Sequence, residues 1–252
     1  MSNFAEKLQH VHRGPITTIG FRRSGEEEMP QMLVVAMLAD TSAKAAKAVT
    51  GADAVIIDSQ DLSPEGLKQL TSALGDVPTG ILLDNTKPVE AAKALEAGSD
   101  FVVLDIKTPV EAVSKEGLGR ILKIEPSLDI ALARAINSLP LSIDGVLIAS
   151  DDSVLTVERL LVCQRFADLL DKPLLVTMGA SVPSNELSSL CEAGVNGIVV
   201  PAGLTAKALG ELKKAVSCLP KPTKHKTKAS PIIPRITPEP EAVVEEEDDD
   251  EE

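Results

Sequence analysis

The sequence predicts an α/β fold in which eight parallel strands, alternating with helices, close into a barrel. Short runs rich in Val, Ile and Leu recur eight times between residues 31 and 219, and a segment of helical period follows each run. The runs begin roughly 20 to 28 residues apart, the length of a strand, a crossover helix and two loops. They are apolar along nearly their whole length, which is typical of strands buried on both faces.

The predicted strands share this apolar character, and all but the last carry a polar residue at or near their end. They are MLVVAML (32–38), AVIID (54–58), GILLD (80–84), FVVLD (101–105), RILKIE (120–125), GVLIAS (145–150), PLLVTM (173–178) and GIVVPA (197–202). Eight units of this length match a (β/α)8, or TIM, barrel. An open doubly wound sheet is the alternative, but it usually has fewer strands and a Gly-rich first turn, which this sequence lacks.

Helix-start signals support the assignment. Thr108-Pro109-Val110-Glu111 reads as a capping box with Pro at the first helical position, which predicts a helix after the fourth strand. Gly51, Gly98 and Gly194 suit left-handed caps at the ends of three other helices.

A second pattern has a longer period. The even-numbered strands follow a Gly or an Asp or Asn residue, in GADAVIID, AGSDFVVLD, SIDGVLIAS and AGVNGIVVPA, whereas three odd-numbered strands follow Pro. The repeat is about 45 to 50 residues, or two βα units, which favours a barrel assembled in alternating layers.

The chain divides into three parts. Residues 1–30 form an extension in which Ser2 caps a short helix, and Phe4, Leu8 and Val11 share one face of it; this helix is expected to plug the bottom of the barrel. The pattern of ITTIGF (16–21) is compatible with either a strand or a loop. Residues 31–219 form the barrel. Residues 220–252, rich in Lys and Pro and then acidic, are expected to be a disordered tail whose role in solubility is favoured over specific docking.

The composition and net charge of the chain exclude several classes of ligand and partner. The chain has no Trp or Tyr and four Phe residues, so aromatic stacking of a flavin or nucleobase is nearly excluded. A net charge of −13 argues against nucleic acid and anionic membranes as partners. No signal peptide or membrane span is expected, and three scattered cysteines indicate reduced thiols, so a cytoplasmic location is predicted. The three histidines lie outside the periodic region, which makes a zinc site or His-based triad unexpected.

The candidate catalytic residues stand at strand ends, because the loops after the strands form the active face of such barrels. A Lys inside a doubly buried strand, as at position 123, is costly unless it is paired or functional. Two lysines, Lys107 and Lys123, could each form a Schiff base or transfer protons. The strand-end carboxylates could act as bases or bind a divalent metal. The structural alternatives are local ion pairs and helix caps. The candidates are Asp58, Asp84, Asp105, Lys107, Lys123 and Glu125.

The last quarter, VTMGASVPSNELSSLCEAGVNGIVVPAGLTAKAL, resembles the phosphate-binding end of ribulose-phosphate-binding and related aldolase-type barrels. That resemblance implies an anion site built from backbone N–H groups of the turns after strands 7 and 8. The matching residues are Gly179, Ala180, Ser181, Ala202 and Gly203. Asp105-Ile106-Lys107 is also similar to the D-x-K element of orotidine-phosphate-decarboxylase-like barrels, although Val110 stands where that family has a second Asp.

These features favour an enzyme of lyase or isomerase type that acts on a small, by preference phosphorylated, metabolite and needs no organic cofactor. The alternative is a barrel that has lost catalysis and binds a ligand or a partner, with the charged tail as a tether. A metal-dependent aldolase is a third hypothesis, which needs several strand-end acids to converge. A homo-oligomer is compatible with all three.

Overall fold

Eight parallel strands close into a barrel in the order in which they occur in the chain, and this confirms the predicted fold. The computed structural model describes residues 2–14, 30–39, 43–58, 64–83, 91–113, 117–150 and 154–220. Strand β1 pairs with β2 on one side and with β8 on the other, which completes the ring. The strands are β1 (Leu33–Leu38), β2 (Ala54–Asp58), β3 (Thr79–Leu82), β4 (Phe101–Asp105), β5 (Gly119–Ile124), β6 (Gly145–Ile148), β7 (Leu174–Thr177) and β8 (Gly197–Val200).

Among the described residues, one α-helix precedes the barrel and seven follow its strands. They are α1 (Asn3–Arg13), α2 (Ala43–Val49), α3 (Pro64–Leu74), α4 (Ala91–Glu96), α5 (Ile130–Ala135), α6 (Val157–Leu169), α7 (Ser184–Glu192) and α8 (Ala206–Ser217). Within the described ranges, no helix has the length and apolarity that crossing a membrane requires. ITTIGF and the predicted tail from residue 221 onward lie outside those ranges.

The prediction of an α-helix after β4 is wrong, because the described part of this segment forms only a 3-10 helix at Val110–Val113. The hydroxyl of Thr108, which the capping box assigned to a helix N-terminus, instead accepts the backbone N–H of Asp105 at 3.0 Å. The Thr108 N–H donates to the Asp105 carbonyl, also at 3.0 Å. Thr108 therefore closes a tight turn at the strand end and cannot cap a following α-helix.

The apolar side chains form two cores separated by the barrel wall. Alternate residues of each strand point outward and pack against the helices, as Val34, Val55 and Ile148 do. The other set points into the barrel, where Val35, Ile56 and residues like them meet in a smaller cluster. The interior is thus a packed core, as expected for a barrel of eight strands.

The amino-terminal end of this interior lacks side chains on several strands. Gly80, Gly119 and Gly145 stand at interior positions of β3, β5 and β6. A Cβ atom added at Gly119 would lie 2.6 Å from the hydroxyl oxygen of Ser2, and one added at Gly145 would lie 2.8 Å from Leu8 Cδ2. The glycines therefore leave space that the N-terminal segment occupies.

Helix α1 fills that space and confirms the predicted plug. Phe4 and Leu8 are fully buried within the interior cluster. The ring centroids of Phe4 and Phe101 lie 4.5 Å apart, a separation typical of favourable aromatic pairs. The Ser2 hydroxyl accepts the Ala5 N–H at 3.1 Å, which is the predicted N-terminal cap.

The Asp and Asn residues that precede the even-numbered strands explain the longer repeat in the sequence. In three units the side chain accepts the N–H of a residue at the start of the preceding odd strand, and so clamps the two strands together. The clamps join Asp53 to Val34 at 2.8 Å, Asp144 to Arg120 at 2.8 Å, and Asn196 to Leu174 at 2.9 Å.

Asp100 occupies the same place before β4 but binds α1 instead. Its carboxylate accepts hydrogen bonds from the Ser2 hydroxyl at 2.7 Å and from the backbone N–H groups of Asn3 and Phe4 at 2.7 and 2.8 Å. These N–H groups belong to the first turn of α1, which has no intrahelical acceptor for them and where negative charge is favourable. Asp100 therefore fixes the plug to the barrel.

We expect Asp100→Ala to lower the free energy of unfolding by about 2 kcal/mol, because it removes three hydrogen bonds to a charged acceptor and a favourable charge at a helix N-terminus. Urea denaturation followed by far-UV circular dichroism measures the change. Asp76→Ala is the matched control, since Asp76 is an exposed loop residue. Equal stability of the two variants would contradict the proposed role of Asp100.

Candidate functional site

The carboxyl end of the barrel carries charged and polar side chains on the interior face of several strands. Side-chain alternation places Asp58 in line with Ile56, Asp105 in line with Val103, and Lys123 in line with Ile121. All three charged residues are half-buried. Three of the six predicted catalytic residues are thus brought to the interior at the mouth of the barrel.

Asp105 and Lys123 are direct neighbours across the β4–β5 ladder. One carboxylate oxygen of Asp105, Oδ1, accepts the backbone N–H of Lys107 at 3.0 Å, so its side chain is held in place by the turn that follows. Within the described ranges, the Lys123 amine makes no hydrogen bond or ion pair. A half-buried amine beside a fixed carboxylate is an arrangement suited to proton transfer or imine formation.

Lys107 and Glu125 lie beyond the ends of their strands and are exposed. Continued side-chain alternation would put Lys107 on the face of Asp105 and Glu125 on the face of Lys123, but β4 ends at Asp105 and β5 at Ile124. The Glu125 carboxylate accepts a long hydrogen bond from the Ser127 hydroxyl at 3.4 Å. The structure therefore places both residues on the rim, outside the interior rows of their strands, and Asp84 lies outside the described residues.

Arg159 is a buried charge at the rim that the sequence analysis missed. It lies on α6 and is only 6% exposed, and its guanidinium donates to the carbonyl and, at 3.4 Å, to the hydroxyl of Thr177 at the end of β7. The Thr177 hydroxyl also donates to the Ser150 carbonyl at 2.8 Å and accepts its N–H at 2.9 Å. This network joins the ends of β6 and β7 through side chains. It holds the positive charge of Arg159 next to the carboxyl end of β7.

The turns after β7 and β8 differ in the backbone groups that they offer. Gly179 is half-buried, whereas the four other residues of the predicted anion site, Ala180, Ser181, Ala202 and Gly203, are exposed. Helix α7 starts after Pro183, which provides no side-chain cap, while Thr205 caps α8 by accepting the Ala208 N–H at 3.3 Å. The N-terminus of α7 is therefore the better provided with N–H donors for an anion.

Cysteine and metal chemistry receive no support from the described residues. Burial raises the pKa of Cys163 to about 11, and burial, with a contribution from Glu192, raises the pKa of Cys191. Both thiols therefore stay protonated at neutral pH and act as apolar packing groups. No group of three or more metal-ligating side chains forms among the residues that the structure describes, which do not include Asp84.

A cleft of about 720 Å³ lies at the opposite, amino-terminal end, between α1 and the start of β5. Its walls include Glu6, His10 and Arg13 of α1 together with Arg120 and Asp144. None of the predicted catalytic residues lines it. The candidate catalytic residues at the strand ends and this cleft therefore lie at opposite ends of the barrel.

Comparison with known proteins identifies the fold. No family model matches the chain, and no curated protein matches it. Among solved structures, a mutant tryptophan synthase α-subunit from Pyrococcus furiosus is 14% identical, with a TM-score of 0.57 over 74% of this chain and 96% of that one. A tryptophan synthase structure from M. tuberculosis is 15% identical, with a TM-score of 0.53 over 74% and 92%. FabK from Thermotoga maritima is 15% identical, with a TM-score of 0.53 over 68% and 58%.

These likenesses show the fold alone. They agree with the closed barrel of eight parallel strands and confirm the (β/α)8 fold that the sequence predicted.

Proposed function

We propose that this aldolase-type barrel is an enzyme of lyase or isomerase type, with Lys123 as its central reactive group. The observation that carries the proposal is the half-buried Lys123, in register with Asp105 of the neighbouring strand, on the interior face at the carboxyl end of the barrel. Barrels of this fold place their reaction centres at that end. Fold likeness raises the expectation of catalysis, and the argument for these residues comes from their geometry.

The proposed chemistry starts with attack of the neutral Lys123 nitrogen on a substrate carbonyl carbon. The adduct takes up a proton from solvent and loses water to give a protonated imine, which withdraws electrons from a neighbouring C–H or C–C bond. A carboxylate accepts the proton released from carbon or from a hydroxyl group and later returns it. Asp105 is the nearer candidate because it is the cross-strand neighbour of Lys123, and Asp58 is the second carboxylate on the interior face.

The substrate in this proposal is a small phosphorylated carbonyl compound. The uncapped N-terminus of α7 and the turns at 179–181 and 202–203 supply backbone N–H groups for its phosphate. The fixed guanidinium of Arg159 adds positive potential behind β7. Lys107, exposed on the rim, is the second candidate amine, and Glu125 and Asp84 are the further candidate carboxylates.

Borohydride trapping tests the reactive amine. The full chain is incubated with a panel of oxo-acids and sugar phosphates, reduced, digested and mapped by mass spectrometry. We expect a stable adduct on Lys123 that is retained in Lys107→Arg and lost in Lys123→Arg. The paired Lys→Arg changes are matched in charge, and equal melting temperatures show that both variants remain folded.

The outcomes separate the hypotheses. An adduct on Lys107 alone would transfer the reactive role to the rim, and the absence of an adduct at either position would remove the imine mechanism. The second candidate function is a barrel that binds a ligand without catalysis. The dispersal of the predicted catalytic residues favours it, because Lys107 and Glu125 lie exposed on the rim, outside the interior rows of their strands. In that case phosphorylated compounds raise the melting temperature but yield no adduct and no product.

A further inference from the structure

The interior of the barrel ends, at the mouth, in a ring of four side chains, one from each odd-numbered strand. All four are half-buried, and side-chain alternation points them into the barrel. The ring directly beneath, from the even-numbered strands, is buried. The upper ring is therefore the place where the packed interior meets the open mouth. We call it the mouth floor; it comprises Met37, Leu82, Lys123 and Thr177.

The strand register shows that these four side chains lie at one level. Met37 of β1 pairs with Ile56 of β2. Ile56 in turn pairs with Gly80 of β3, which stands two residues before Leu82. The same offset of two residues recurs in each of the other three steps from one odd-numbered strand to the next. This offset matches the shear of a (β/α)8 barrel, in which side chains from alternate strands form common layers.

Most of the mouth floor is apolar. Met37 and Leu82 pack on the interior cluster of the barrel. The single hydroxyl hydrogen of Thr177 is donated to the Ser150 carbonyl at 2.8 Å, so this side chain has no donor left for a ligand. Among the residues that the structure describes, the Lys123 amine is thus the one group of the mouth floor that can still donate a hydrogen bond.

The carboxylates of the mouth lie in the next layer up. Asp58 pairs with Leu82, and Asp105 pairs with Lys123. Because the strands of such a barrel are tilted, each Asp stands about one residue higher than its partner. The amine of Lys123 therefore has carboxylates above it, and the apolar side chains Met37 and Leu82 share its own level.

We propose that the mouth floor selects a carbonyl compound with an alkyl substituent over one with a hydroxylated substituent. This inference rests on the proposed function, because it places the carbonyl carbon at Lys123. The interior of an eight-stranded barrel is only just wide enough for its own side chains, so a substituent that lies along the floor contacts Met37 or Leu82. An alkyl group is removed from water by this contact, whereas a hydroxyl group loses its hydrogen bonds to water without a replacement.

Two oxo-acids of equal size test the selection. 2-Oxobutanoate carries a methyl group where hydroxypyruvate carries a hydroxyl group, and borohydride reduction traps both compounds on lysine. The adduct on Lys68, an exposed residue of α3, corrects for the intrinsic reactivity of each compound. We expect the ratio of Lys123 adduct to Lys68 adduct to be about tenfold higher for 2-oxobutanoate. This is less than the roughly hundredfold effect of an enclosed apolar pocket, because the mouth floor is half-buried.

Polar substitutions of equal size identify the source of the preference. Met37→Gln and Leu82→Asn are each expected to reduce it to below about threefold, because the apolar contact is replaced by an amide. Leu95→Asn is the matched control, since Leu95 is 42% exposed on α4 and lies outside the mouth floor. This control is expected to keep the wild-type preference. Circular dichroism verifies that each variant is folded, and the wild-type ratio decides the question where a variant is not.

Two acids that cannot form an imine separate this inference from the proposed function. 2-Hydroxybutanoate and glycerate differ by the same exchange of methyl for hydroxyl, and ligand-observed NMR compares their binding to the full chain. Tighter binding of 2-hydroxybutanoate that is lost in Met37→Gln, without any adduct on Lys123, would remove the imine mechanism and retain the apolar selection. Equal Lys123 adducts from the two oxo-acids would retain the mechanism and overturn the inference. The absence of a preference in both experiments would overturn it as well.

Discussion

Phe4→Ala is expected to lower the free energy of unfolding by about 3–5 kcal/mol, the range for removal of a buried aromatic ring. The ring of Phe4 is fully buried at the amino-terminal end of the barrel and packs on Phe101. Strands β5 and β6 carry Gly119 and Gly145 at this end of the interior, so these two positions provide no side chain to fill the cavity. Urea denaturation followed by far-UV circular dichroism is the appropriate measurement, since the chain has no Trp or Tyr.

Val110→Ala is the control for this experiment, because Val110 is 73% exposed and its truncation is expected to change stability by less than about 0.5 kcal/mol. If Phe4→Ala were as stable as this control, α1 would not be part of the barrel core. The fold would then have to close its lower end in another way.

Gly80→Ala is expected to destabilise the protein by about 3 kcal/mol, the upper end of the usual cost of overpacking. A Cβ atom at this position would overlap the ring of Phe101. The ring is fully buried and is held on its other side by Phe4, so it cannot move aside. The expected loss of stability comes from steric overlap with the Phe101 ring and not from backbone strain, because the backbone of Gly80 is not in the left-handed region.

A double-mutant cycle with Phe101→Ala identifies the cause. Removal of the ring frees the space, so Gly80→Ala should cost less than about 1 kcal/mol in the Phe101→Ala background. An undiminished cost there would show that the backbone of β3, rather than the ring, rejects the methyl group. Melting curves of the four proteins supply the required comparison.

The strands were predictable from the sequence because burial on both faces leaves a plain signal. The runs AVIID and FVVLD are apolar at every position up to the final Asp, and β2 and β4 coincide with them. The plug was predictable for a related reason, since Ser2 and the spacing of Phe4 and Leu8 describe a capped amphipathic helix. Local chemistry determines both features.

The turn after β4 was not predictable, because it depends on a competition between two uses of one hydroxyl. Thr108 has the right spacing for a helix cap, yet it accepts the N–H of Asp105 three residues before it. Both arrangements satisfy one backbone donor, and tertiary packing decides between them. The sequence alone does not contain that packing.

The site was predictable only in part. The apolar runs locate Asp105 and Lys123 at the ends of two neighbouring strands, and their catalytic role stays a prediction. Side-chain alternation ceases where β4 and β5 end, so it does not locate Lys107 or Glu125. Arg159 was missed, although its spacing from Cys163 and Phe166 puts it on the buried stripe of α6. A charged residue in a buried stripe is the signal that could have found it.

The Asp and Asn clamps bear on the ancestry of the chain. Each clamp ties an even strand to the odd strand before it, so the smallest recurring piece of the molecule is a pair of strands with their helices. Four such pieces, each opening its second strand with the same kind of acceptor, are what successive duplication of one short gene segment would leave behind. In the piece that contains Asp100, the acceptor at the same place holds a helix from outside the repeat.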